Sequence, residues 1–110
     1  IRDVFKNELF DITFFSKSDL NITDKLKLED ALKTYNPKII INAAAYTQVD
    51  MAEDDSLNAY SINSSAPKYL SEICKSKDIH LIHISTDYVF DGVKNSGYIE
   101  EDVTNPLCTQ

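Results

Sequence analysis

The residues with the chemical range for catalysis or ligand binding fall into two short strings. Ser85-Thr86-Asp87-Tyr88 sets two hydroxyls, a carboxylate and a phenol directly after the apolar run Leu81, Ile82 and Ile84. Ala43-Ala44-Ala45-Tyr46-Thr47 follows three consecutive isoleucines, Ile39 to Ile41, and leads on to Asp50. A hydroxyl at a strand end can hydrogen-bond a substrate carbonyl, and three small residues let a flat, extended ligand approach the backbone. Each string also has a plainer explanation: a capped strand end followed by a turn, and alanines packed under a helix. Taken together they point to a site. Consecutive strands usually lie side by side, and open α/β sheets bind ligands at their carboxyl edge.

Other chemistries are poorly supported. With Gly92 and Gly97 as the two glycines, neither Gly-x-Gly-x-x-Gly nor Gly-x-x-x-x-Gly-Lys can occur. No Ser-His-Asp or Cys-His arrangement has a local signature. His80 and His83 stand three apart on a strand, so they point to opposite faces and suit packing or surface roles better than one shared metal. Glu53-Asp54-Asp55 reads as a helix N-terminus favoured by the dipole, and Glu100-Glu101-Asp102 as a solvated loop face. Cys74 and Cys108 form no Cys-x-x-Cys pair and read as reduced thiols of a cytosolic protein.

The elements that must position the two strings follow from periodicity. Ile1, Val4, Phe5 and Leu9 have helical spacing, and Asp11–Ser16 is β-branched and aromatic, which predicts a strand. Thr23-Asp24 caps a helix whose apolar face is Leu26, Leu28, Ala31, Leu32 and Tyr35, and Asn36-Pro37 stops it. Lys38–Ala45 predicts a strand buried on both faces, the habit of parallel sheets. Asp54–Lys77 predicts a long helix that Pro67 either kinks or restarts, with Leu70, Ile73 and Cys74 facing inward. His80–Gly92 opens as a strand, and Val93–Gln110 reads as an irregular surface segment. This alternation indicates an α/β domain with a parallel sheet, one partial domain over residues 1–110.

At 110 residues with 43% hydrophobic and 26% charged side chains, the composition is that of one ordinary globular domain. A net charge of −7 argues against nucleic acid as a partner. No apolar run nears the ~20 residues of a membrane span, and the first residues carry no signal pattern.

Ile41–Glu53, Ile84–Gly92 (Ile-Ser-Thr-Asp-Tyr-Val-Phe-Asp-Gly) and Asn105-Pro106-Leu107 resemble the dTDP-4-dehydrorhamnose reductases of the extended short-chain dehydrogenase/reductase superfamily, from about Asp19 to Leu107. The resemblance implies a Rossmann-like doubly wound parallel sheet. It also implies reduction of dTDP-4-dehydro-L-rhamnose by NADPH or NADH to dTDP-L-rhamnose, a cell-surface polysaccharide precursor, in the cytoplasm. By match, Asn21 and Ile22 lie near the adenine. Ala43, Ala44, Ala45, Tyr46, Thr47, Ile84 and Ser85 line the cofactor, and Asn63 approaches it. Thr86 takes the position of the catalytic hydroxyl, and Asp87 and Tyr88 meet the dTDP-sugar. A homodimer and Mg²⁺ enter through the family alone, and no ligand set for the metal is found.

The departures from the family pattern are specific. Its first strand and Gly-rich turn, which hold the pyrophosphate, have no counterpart in this sequence. That strand is the central one, and without it the neighbouring edges are expected to lie open. Gln110 stands where the family has its proton-donating Tyr, and an amide cannot serve as that acid. The 110 residues are therefore expected to be inactive alone. Ser16-Lys17, where an NAD site usually has Asp, favours NADPH. The competing readings are a non-catalytic relative, such as the regulatory subunit of methionine adenosyltransferase, or another sugar-nucleotide epimerase or dehydratase.

Overall fold

The computed structural model describes residues 10–107. The predicted helix over Ile1–Leu9, and Cys108 to Gln110, lie outside the described residues.

Helix α1 (Lys25–Tyr35) starts where the sequence predicts, because the Asp24 carboxylate accepts the Lys27 amide at 3.1 Å. It ends at Asn36, which takes the left-handed conformation (φ 42°) that an Asn tolerates, and Pro37 follows. Strand β1 (Ile39–Asn42) and strand β2 (His80–His83) pair in parallel, with Ile40 beside Leu81 and Asn42 beside His83. The ladder runs on through the Ile84 amide, which donates to the Asn42 carbonyl at 3.0 Å.

Between the strands the chain is helical in pieces: α2 (Val49–Asp54), α3 (Ser56–Tyr60), a wide π-helical turn over Ser61–Ser65, and α4 (Ala66–Lys77). The stretch Asp54–Lys77 is mostly helical as expected, and of the two outcomes open at Pro67 the structure takes the restart. Pro67 lies in the first turn of α4, where its missing N–H does no harm. A Pro ring would clash with the carbonyl four residues back in a regular helix, and the wide turn sits on that stretch. The acidic run is corrected in part. Glu53 and Asp54 end α2 rather than begin a helix, and only Asp55 precedes one, α3.

The core forms where α1 and α4 meet one face of the sheet. Leu28 and Leu32 pack with Leu70 and Ile73, and Leu20, Ile22, Ile40 and Leu81 close around them. Burying such side chains stabilises by roughly 1.5–3 kcal/mol each. The other sheet face is not covered by any described element. Ile39, Ile41, Ile82 and Ile84 are 57, 43, 48 and 56% exposed. Two-sided burial of the Ile39–Ile41 strand is therefore not seen, because both helices lie on the same side.

The expected strand at Asp11–Ser16 is also absent. The segment has no ladder partner among the described residues, and Phe10 and Phe15 stay exposed. Phe15 packs edge-on against Tyr35 instead, ring centroids 5.1 Å apart. From Val93 to Leu107 the chain has neither helix nor strand, as expected.

Candidate functional site

The two chemical strings meet. Ala43, Ala44, Ala45, Tyr46 and Thr47 line one side of a cleft of about 520 Å³, and Ile84, Ser85, Thr86, Asp87 and Tyr88 line the other. The register of β1 and β2 places both strand ends at one edge of the sheet.

Beneath the cleft, Asn42 is the buried polar residue that stitches the strand ends together. Its Oδ1 accepts the Ala44 amide at 3.2 Å, so its Nδ2 faces His83 Nδ1 at 3.1 Å. The contact joins the ends of the two strands, and His83 lines the cleft wall. Among the described residues no group of three or more His, Cys, Asp or Glu could hold a metal ion.

Asn63 comes to the cleft from the wide helical turn. Its Oδ1 accepts the Tyr46 amide at 2.8 Å and its Nδ2 donates to the Tyr46 carbonyl at 3.0 Å. The carboxamide thus holds both the backbone N–H and the C=O of Tyr46, members of two successive peptide units of the alanine-rich loop. The Tyr46 phenol is pushed above its ordinary range, by partial burial first and then by the Asp55 carboxylate that it hydrogen-bonds. Tyr46 thus forms part of the cleft wall with its phenol kept neutral.

Thr86 is extended (φ −126°, ψ 150°), and its Oγ1 accepts the Tyr88 amide at 3.2 Å, capping the 3₁₀ turn Asp87–Val89. A hydroxyl that accepts from the backbone keeps its own proton free to donate outward. Its one protein-side acceptor is Asp87 Oδ1, at a long 3.5 Å. Asp87 itself is exposed at the cleft rim.

Asn21 and Ile22 are not brought to this cleft. Asn21 Oδ1 caps its own turn by accepting from the Thr23 amide and hydroxyl, and Ile22 packs on the core. Val49, His83 and Val89 line the cleft without having been singled out as lining residues. His83 carried a signal, a polar residue in an apolar strand two positions before Ser85, whereas Val49 and Val89 carried none. Sequence reasoning also missed a cluster around Asp91. Its carboxylate accepts the Tyr98 hydroxyl at 2.7 Å, the Val93 amide at 3.2 Å and the Asn105 side-chain amide at 3.2 Å.

Residues 1–110 match the sequence model of the family described as RmlD substrate binding domain. The chain belongs to that family. A dTDP-4-dehydrorhamnose reductase of Aggregatibacter actinomycetemcomitans is 41% identical over 102 residues, which are 93% of this chain and 35% of the relative. Another, of Mycolicibacterium smegmatis, is 43% identical over 95 residues, covering 84% of this chain and 28% of the relative. Among solved structures, a dTDP-4-dehydrorhamnose reductase of Clostridium acetobutylicum superposes with a TM-score of 0.94 at 33% identity, covering 98% of this chain and 39% of that one. That of Bacillus anthracis, in complex with NADP, gives 0.93 at 34%, covering 98% and 38%. The UDP-glucose 4-epimerase of Thermus thermophilus, at 19% identity and a TM-score of 0.72 over 83% of this chain and 30% of that one, shares the fold alone. This family member spans about a third of the length of the curated relatives it matches. Its described part is a portion of a Rossmann-like α/β domain, and no helix among the described residues is long and apolar enough to cross a membrane.

Proposed function

We propose that this chain supplies the cofactor cradle and the carbonyl-binding hydroxyl of an NADPH- or NADH-dependent reductase that converts dTDP-4-dehydro-L-rhamnose to dTDP-L-rhamnose in the cytoplasm. The observation that carries the reading is that Ala44 and Thr86 line one cleft, small residues on one wall and a free hydroxyl on the other. The wall fits a nicotinamide nucleotide. Three methyl side chains leave the backbone open to a flat ring, and Asn63 holds the adjoining Tyr46 backbone through its N–H and its C=O. The neighbour that holds NADP, at 34% identity, supports the same choice of cofactor.

When bound, the cofactor supplies the hydride that reduces the keto carbon. The Thr86 hydroxyl donates to the keto oxygen and stabilises the charge that develops there. Asp87, beside it at the rim, accepts from hydroxyls of the sugar. The proton for the oxygen must come from another group, because Gln110 stands where the family pattern has its Tyr and an amide cannot serve as that acid. No turnover is expected from the 110 residues on their own.

The test is to assay the complete reading frame for loss of NADPH absorbance with dTDP-4-dehydro-L-rhamnose. Turnover supports the reading, and its absence overturns it. Gln110 favours one second reading, a cofactor-binding regulatory protein without turnover. A Tyr after Leu107 followed four positions later by Lys favours the reductase, and the absence of that pair favours the regulatory protein.

A further inference from the structure

Beyond the cleft, the segment after Thr86 doubles back on itself and is held by side chains that the reaction does not use. Asp91 accepts three hydrogen bonds, from Tyr98, Val93 and Asn105. The Tyr98 ring stacks on Phe90 with centroids 4.2 Å apart and planes 10° from parallel. The Asn105 amide donates to the Val89 carbonyl at 2.9 Å, which fastens residue 105 to the 3₁₀ turn that Thr86 caps. A second tie, Lys94 to Asp102, with Asp102 also accepting the Ile99 amide at 2.8 Å, closes the same loop. The consequence is a mostly apolar hollow of about 410 Å³ between Asp87 and Leu107.

We propose that Asp91 is a positioning residue of the reductase: by joining Tyr98 and Asn105 to the turn after Thr86, it fixes where Thr86 and Asp87 face the cleft. This rests on the reductase reading above. The geometry carries it because the three donors come from two, seven and fourteen residues beyond Asp91, and one carboxylate gathers them. A surface loop needs no such hub to be soluble. Here the hub stands five residues from the hydroxyl that meets the substrate. Three donors on one carboxylate also keep it ionised, with the Tyr98 hydroxyl the largest contributor.

The experiment compares wild type, Asp91→Ala, Asp91→Asn and Tyr98→Phe in the complete reading frame, by steady-state kinetics, NADPH binding and amide hydrogen exchange. Asn keeps an acceptor oxygen, so it restores part of what Ala removes. The expected result is a fall in kcat of ~30-fold for Asp91→Ala, less for Asp91→Asn and Tyr98→Phe, as misplacement of reacting groups produces. The Kd for NADPH stays within about twofold, because the cofactor wall is the other side of the cleft, where a general loss of structure would weaken it too. Exchange quickens at the Val93, Ile99 and Asn105 amides and not in β1 or β2. Exchange that is unchanged overturns the proposal, as does a quickened loop with wild-type kcat and KM, or a Kd that rises in step with the loss of kcat. A wild type without turnover is a different failure: it removes the reductase reading, and the positioning role with it.

Discussion

The Asn63 carboxamide clasps the Tyr46 backbone on both sides, the Tyr46 amide donating to Oδ1 at 2.8 Å and Nδ2 donating to the Tyr46 carbonyl at 3.0 Å. Seventeen residues separate them in the chain, so this clasp joins the helical connection to the alanine-rich strand end. Asn63→Ala leaves a part-buried backbone N–H and C=O without these partners, for which we expect ~1–3 kcal/mol lost from stability. NADPH affinity should fall at least severalfold. Asn63→Asp keeps the acceptor and loses the donor, and should fall between. Thermal unfolding and a cofactor titration check both.

Thr86 has two duties that substitution tests together. Its oxygen caps the turn at Tyr88, and its proton, held only by a long 3.5 Å contact to Asp87 among the described residues, can turn to the cleft. Thr86→Val keeps the shape and removes both, so kcat should drop by ~10²-fold, the scale for one lost donor to a developing oxyanion. Thr86→Ser should recover most of that rate, and NADPH affinity should change little in either. Equal rates for Val and wild type contradict the role given to this hydroxyl.

Leu28 is 1% exposed at the meeting of α1 and α4. Leu28→Ala should destabilise by ~2–5 kcal/mol, the range for a deleted core leucine whose surroundings relax only in part. The exposed Leu26, two residues away on the opposite side and 75% exposed, should tolerate alanine within ~0.5 kcal/mol. Urea unfolding of the two variants is the comparison. Similar losses would mean that α1 packs by its other face.

Acid should loosen the Asp91–Asp102 loop before the core. Both carboxyls lie below the ordinary range, Asp91 because the Tyr98 hydroxyl and the Val93 and Asn105 amides donate to it, Asp102 through Lys94 and the Ile99 amide. A depressed folded pKa contributes stability that is complete above the unfolded value, about 3.9, and lost as pH falls through the lower folded value. Amide exchange at residues 93–105 should therefore stay flat from neutral pH down to about 4, after correction for intrinsic rates, and quicken below it. In Asp91→Asn part of that acid dependence should vanish. Loosening that begins well above that window, near the histidine range, would contradict the assignment.

The site was legible because its signals are local. Ile39–Ile41 running into three alanines, and Ile84 running into Ser85 and Thr86, mark two strand ends with no reference to anything distant. What failed was whatever depends on a neighbour. Asp11–Ser16 has strand-forming residues but no described partner for a ladder, so its preference has nothing to act on. The three isoleucines could not say that both helices take the same side. Pro67 announced a break, yet residue types do not distinguish a kink from a wide turn. The Asp91 cluster was invisible because its partners lie up to fourteen residues away and no spacing rule links them. Asn21 and Ile22 were placed near the adenine by resemblance alone; the structure shows Asn21 in a turn and Ile22 against the core.

The wide turn over Ser61–Ser65 sets the angular phase between Asn63 and the inward face of α4. Excising Ser64 or Ser65 would restore an ordinary helical pitch and swing Asn63 by roughly 100° about the axis relative to Leu70 and Ile73. The core and the cleft could then no longer be satisfied together, so a change of one residue in chain length, with every chemical group kept, would leave a folded domain whose alanine wall has lost its latch.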